Sequence, residues 1–201
     1  MDEALDGLAK VANKGIAPFS LKRVLDNPHL YGSVYKRTHL LKDLGEIAEV
    51  PGLESAIKML KINHRNVKGF RYEIEGAASL KRGGETIHAI TEKVNVIWDD
   101  IAEIIGSFGA NFGSKTDIDV ITELNGVFTY RQFKSTAAAM KSPKNVQAWC
   151  EKARKARGNP VGNYEGLKFH LPPDEISKIS KSVREWLDTR YIPIEAITMK
   201  P

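Results

Sequence analysis

The chain has 201 residues, 42% of them hydrophobic, with 30 Lys and Arg against 25 Asp and Glu for a net charge of +5. That is enough apolar material for the core of one ordinary domain, or of a domain with an appended helical segment, and the chain is expected to be globular and soluble. The single cysteine, Cys150, excludes an internal disulfide, no apolar run is long enough to span a bilayer, and the acidic start MDEALDGLAK does not read as a signal peptide. The five histidines show no HxxxH spacing and there is no CxxC, so any metal is expected to be held mainly by oxygen.

Residues 1 to about 60 read as short helices broken by Gly15, Pro18, Pro28, Gly32, Pro51 and Gly52. We take 1–63 as a helical lead-in and 64–201 as the main domain. From Val67, the positions Phe70, Ile74, Ala77 and Leu80 recur at three or four residues and predict a helix ending at Gly83-Gly84. Glu73 shares that stripe, while Glu75 is expected to point well away. A carboxylate beside a buried face is costly unless it is paired or ligating. Thr86 to Val94 is rich in β-branched residues and predicts a strand. A helical stripe follows at Ile97, Ile101, Ile104, Ile105 and Phe108.

Next come two β-rich runs around Asn125-Gly126, the strongest short hairpin signal in the chain. If those two residues form the turn, Leu124 faces Val127, Asp119 faces Gln132 and Asp117 faces Lys134. These four polar groups then project from one face, with Ile118, Val120, Arg131 and Phe133 on the other. The apolar texture of DIDVI and VFTY suggests a strand pair covered on much of both faces, where carboxylates and a lysine need a reason. A hard divalent cation supplies one, taking oxygen from Asp119 and Gln132, with Lys134 beside it to orient water and offset phosphate charge.

Beyond the hairpin, Thr136 to about Ala156 predicts a helix, with Val146, Trp149, Cys150 and Ala153 as its apolar side and Cys150 a buried thiol. Leu167 to Leu171 predicts a strand. Pro172-Pro173-Asp174 opens a last helix with Ile176, Ile179, Val183, Trp186 and Leu187 buried. Between Arg131 and Arg157 lie eight basic residues (Arg131, Lys134, Lys141, Lys144, Lys152, Arg154, Lys155 and Arg157) against one acid, Glu151, a stretch suited to nucleic acid.

Asp119 followed by Gln132-Phe133-Lys134 resembles the motif of the PD-(D/E)XK nuclease superfamily, and residues 64 to about 172 follow its helix, three strands, helix, strand order. The resemblance implies an α/β fold of restriction-endonuclease-like αβββαβ type, with a central mixed sheet flanked by helices, an N-terminal helical segment and a C-terminal helix. It implies a nuclease hydrolysing DNA or RNA such as tRNA. The divalent ion, Mg2+ first with Mn2+ or Zn2+ as alternatives, would be held by Asp119, Gln132 and the Phe133 carbonyl. Glu73, with Glu75 in reserve, matches the glutamate that the family often places on the first core helix, and Lys134 matches its catalytic lysine. Gln132 departs from the commoner Glu or Asp, and a neutral amide binds a cation less strongly. More loosely, the chain is similar to nuclease toxin domains of contact-dependent inhibition systems. Such a domain acts in the cytoplasm of a target cell and is neutralised by an acidic immunity protein.

Two other readings stand beside this one. A non-catalytic nucleic-acid-binding module would use the basic helix 136–157 and keep the hairpin for structure. A plain interaction domain would carry Asp and Lys as a surface pair.

Overall fold

The computed structural model describes residues 2–14, 18–60, 67–90, 119–156 and 164–198. The lead-in folds as α1 (Asp2–Asn13), α2 (Pro18–Leu25), α3 (Arg37–Glu46) and α4 (Leu53–Leu60), followed by α5 (Val67–Arg82). Then come β1 (Thr86–Ile90), β2 (Val120–Leu124), β3 (Val127–Phe133), α6 (Pro143–Ala156) and β4 (Leu167–Leu171). The chain closes with α7 (Pro173–Ile176), α8 (Lys181–Asp188) and β5 (Ile194–Ala196). The fold is mixed α/β, a five-stranded mixed sheet flanked by helices, and α5-β1-β2-β3-α6-β4 is the expected order of helix, three strands, helix, strand. The helix expected over Ile97 to Phe108, the strand beyond Ile90 and the 63/64 boundary lie outside the described residues.

Strand order in the sheet follows chain order, β1 to β5. The first three strands are antiparallel, β2 and β3 joined by a two-residue turn, whereas β3/β4 and β4/β5 are parallel and are joined through helices, as parallel neighbours require. The hairpin has the expected register. Leu124 opposes Val127, and the pairing runs without a slip to Val120 opposite Arg131. Asn125 (φ 52°) and Gly126 (φ 79°) both take positive φ, the geometry of a type I′ turn whose twist suits a two-residue hairpin.

Side chains alternate across the sheet, so each face has its own core. Ile87, Ile90, Val120 and Phe133 join one hydrophobic cluster with α5 and the lead-in helices, and the Ile90 N–H donates to the Pro51 carbonyl at 2.9 Å. Ala89, Ile121, Tyr130, Leu167, Phe169 and Leu171 join the other, with Val146, Cys150 and Ala153 of α6 and Val183 and Leu187 of α8. Burial pushes the Cys150 thiol up to about 12, as befits a structural cysteine.

Three boundaries differ from expectation for local reasons. The helix expected from Thr136 starts at Pro143, where the missing N–H costs nothing, and Ser142 Oγ accepts the Asn145 N–H at 3.4 Å; Ala137–Ala139 is a separate 3-10 turn. The last helix is divided because Ser180 caps a new start, its hydroxyl accepting the Val183 N–H. Strand β5 was not anticipated, although Ile192, Ile194 and Ala196 alternate.

Helix α5 approaches the sheet at Gly76. A Cβ there would overlap the Phe133 ring, lying 2.9 Å from Cδ1, and that ring is boxed between Tyr72 (5.6 Å, edge-on) and His170 (4.9 Å, stacked). Alanine favours a helix over glycine by about 1 kcal/mol, but overpacking a tight core costs about 1–3 kcal/mol, and this ring has nowhere to go. Gly76→Ala is therefore expected to destabilise the fold by about 1–2 kcal/mol in denaturant melts. A neutral or stabilising result would show that the contact is loose.

Candidate active site

The alternation of β3 sends Arg131 and Phe133 to the α5 face and Gln132 and Lys134 to the α6 face. Asp119 stands one residue beyond the paired ladder, where the register carries it toward Gln132; its own N–H donates to the Arg131 carbonyl at 3.1 Å. Its carboxylate turns onto the end of β3. Asp119 Oδ2 accepts the Phe133 N–H at 2.7 Å and Lys134 Nζ at 3.1 Å, while Gln132 Oε1 accepts Lys134 Nζ at 3.0 Å. Lys134 Nζ also sits 5.0 Å from the centre of the Trp149 ring on α6, within cation–π range.

These groups are desolvated. Asp119 is 8% exposed and Gln132 1%, so a carboxylate here depends on its charge-assisted bonds. Two oxygens of different residues therefore converge on one cationic point. That donor set fits a hard cation in kind, since Asp119 and Gln132 supply the oxygen ligands such an ion takes. The amide has a cost: with Oε1 turned to Lys134, Gln132 Nε2 is buried and makes no hydrogen bond among the described residues.

The other expected site residues divide. Glu73 is half-buried on α5, and one turn later on the same stripe Gly76 meets Phe133. Among the described residues no hydrogen bond or ion pair joins Glu73 to Asp119, Gln132 or Lys134. Glu75, expected to point well away from that stripe, is nonetheless buried: it is 3% exposed and pairs with Arg71 at 3.5 Å, because the lead-in helices cover the far side of α5. Asp117 lies outside the described residues.

The basic stretch is also reduced. Arg131 is 4% exposed and Arg154 is buried, its guanidinium holding Glu151 Oε2 at 2.9 and 2.7 Å, so neither presents its charge to a ligand. Their carboxylate partners, not solvent, set their direction. Lys141 and Lys144 are exposed. Lys152 and Lys155 fall on α6 with side chains outside the described set, and Arg157 lies outside the described residues.

Sequence reasoning missed what Arg131 does. On the α5 face it donates to Thr122 Oγ1 (2.9 Å), to both oxygens of Glu85 (2.9 and 2.7 Å) and to Glu195 Oε2 (3.4 Å), and it meets His170 Nε2 at 2.8 Å. Lys168 joins Glu195 at 2.6 Å. A lone histidine in the apolar run LKFHL was the available signal for a polar group on that face.

The chain matches no family model, no curated protein and no solved structure. Among the described residues no helix is long and apolar enough to cross a membrane.

His170 gives a pH test of this buried network. Burial first, then the adjacent Arg131 charge, hold its pKa down to about 3 from 6.5; Lys168 acts in the same direction and Glu195 opposes. Between those values the unfolded chain binds the proton and the folded one does not. The stability this neutral His allows is present above about pH 6.5 and is lost as pH falls toward 3. Denaturant melts from about pH 6.5 to about pH 5 should show a loss of roughly 1 kcal/mol per pH unit, and His170→Gln should flatten that slope. An unchanged slope in the variant would mean that His170 titrates as it does in water.

Proposed function

We propose that this chain is a metal-dependent phosphodiesterase that hydrolyses nucleic acid, with Asp119, Gln132 and Lys134 as its active site. The observation that carries the reading is the position of Lys134 Nζ, held 3.1 Å from the Asp119 carboxylate and 3.0 Å from the Gln132 amide oxygen at the end of two strands. A half-buried cation shared by two oxygens supports the exchange of these internal partners for a divalent ion and a phosphate oxygen. Bound there, the ion would polarise the phosphate and lower the pKa of water.

The chain's own groups then have distinct tasks. Asp119 and Gln132 offer oxygen ligands, with the Phe133 carbonyl as the third expected donor. The Phe133 N–H fixes the carboxylate's direction. Lys134 orients the attacking water and offsets negative charge gathering on the phosphate. Glu73, expected to assist through water, lies on the α5 stripe that meets Phe133, across the sheet from these groups, and has no task in this arrangement. The amide at 132 favours one modestly bound ion over a tight pair of ions.

A buried, unsatisfied amide N–H group costs about 1–3 kcal/mol, which supports a role for Gln132 outside folding. The binding-module alternative loses one of its helix cations, because Arg154 is engaged with Glu151. If the chain is a toxin domain, an acidic immunity protein would meet Lys141 and Lys144 but neither Arg131 nor Arg154.

Lys134→Ala is expected to reduce cleavage of plasmid DNA and total tRNA in Mg2+ or Mn2+ by at least about 100-fold. It should leave a cooperative thermal transition. Full cleavage by that variant and by Asp119→Ala would remove the assignment, and an intact substrate with every ion tested on the wild type would favour the binding module.

A further inference from the structure

Helix α8 ends in a Schellman motif: the Ile192 N–H donates to the Leu187 carbonyl and the Tyr191 N–H to that of Asp188, both at 3.1 Å. The residue after the cap must take left-handed backbone there, and glycine is the usual occupant because a Cβ is strained in that region. This chain has Tyr191, at φ 54°. Its side chain is 93% exposed, so the fold recovers almost nothing for the strain. Strain that no internal contact repays points to an external one.

The neighbouring residue has a matching geometry. Arg190 lies flat over Trp186, its guanidinium carbon 4.2 Å from the ring centre, and Nη1 donates to the Trp186 carbonyl (3.1 Å) and Thr189 Oγ1 (3.0 Å). One face of the guanidinium is covered, and Arg190 is exposed. Trp186 in turn leans on Tyr164 at 6.0 Å. Ile192, immediately after, is buried and pins the corner. Two planar groups of adjacent residues are thus displayed on a backbone already fixed.

We propose that Tyr191 and Arg190 form a stacking platform for the bases of single-stranded nucleic acid. Every base has a π-face, and tyrosine and arginine planes bind it without regard to sequence. A protein hot spot would be ringed by groups that exclude water, whereas here Glu185, Asp188 and Thr189 are exposed and polar. The local charge is close to balanced, Lys181, Arg184 and Arg190 against Glu185 and Asp188, so contact is through stacking more than phosphate attraction. The platform belongs to the α6 side of the sheet, where Val183 and Leu187 of α8 share a cluster with Val146, Cys150 and Ala153 of α6. The proposal rests on the nuclease reading only for its biological use, since binding does not need cleavage.

The test uses the full chain in EDTA, with anisotropy of labelled single-stranded DNA and RNA oligonucleotides and of a DNA duplex. Tyr191→Gly should weaken single-strand binding by about 5- to 100-fold, at low and high salt alike, while duplex binding is unchanged. It should also raise Tm, because glycine relieves the left-handed position, so misfolding does not explain the loss. Tyr191→Phe should bind as the wild type does. The platform is overturned if the wild type does not bind single strands, if Tyr191→Gly binds them equally well, or if duplex binding falls as much. A chain that binds through Tyr191 in EDTA yet cleaves nothing once Mg2+ is supplied would overturn the nuclease reading and leave the platform standing.

Discussion

Arg131 carries a rigid fork of N–H donors into the middle of a sheet, and the groups it meets come from four different segments. Glu85 follows α5, Thr122 is on β2, His170 on β4 and Glu195 on β5. A guanidinium in this position is tolerated only with its partners in place, since a buried charge robbed of its counter-ion costs about 3–5 kcal/mol. Sliding β3 by one residue would drive that charge into the apolar cluster of Ile121, Tyr130 and Phe169. Arg131 thereby fixes which face every β3 side chain takes.

The opposite face inherits its composition from this choice. With Arg131 and Phe133 committed to α5, Gln132 and Lys134 fall on the α6 side, where Asp119 closes over them. The two faces use polarity differently. On the Arg131 side the guanidinium meets carboxylates, a hydroxyl and His170 Nε2, although the buried His170 Nδ1 makes no hydrogen bond among the described residues. On the Lys134 side an amide N–H is likewise unmet among the described residues, and a cation is shared by two oxygens, an arrangement that suits ligand exchange.

Much of this was readable from local chemistry. Asn125-Gly126 set the hairpin register because only a type I′ turn suits that pair, and the register carried Asp119 to Gln132. Helix α5 was readable from its spacing at Phe70, Ile74 and Ala77, but its solvent face was not. Glu75 is buried because α3, α4 and the turn at Pro28–Leu30 pack over α5, a tertiary fact that no single-helix periodicity contains. Arg131 and Arg154 counted as binding cations for the same reason: charge in a sequence does not reveal a partner such as Glu85, 46 residues away. Tyr191 was invisible because an exposed aromatic after a helix has no pattern until its φ is known.

The site on the α6 face is most directly tested by the thermal stability of Gln132→Glu as a function of divalent ion. A second carboxylate beside Asp119 leaves two negative charges facing the single Lys134 ammonium, an excess that a divalent cation would neutralise. The account predicts that the variant melts below the wild type in EDTA at neutral pH and recovers with Mg2+ or Mn2+, shifting further than the wild type does, because binding to the folded state alone stabilises it. A variant whose Tm is the same in EDTA and in excess divalent ion would contradict a cation site at Asp119 and Gln132.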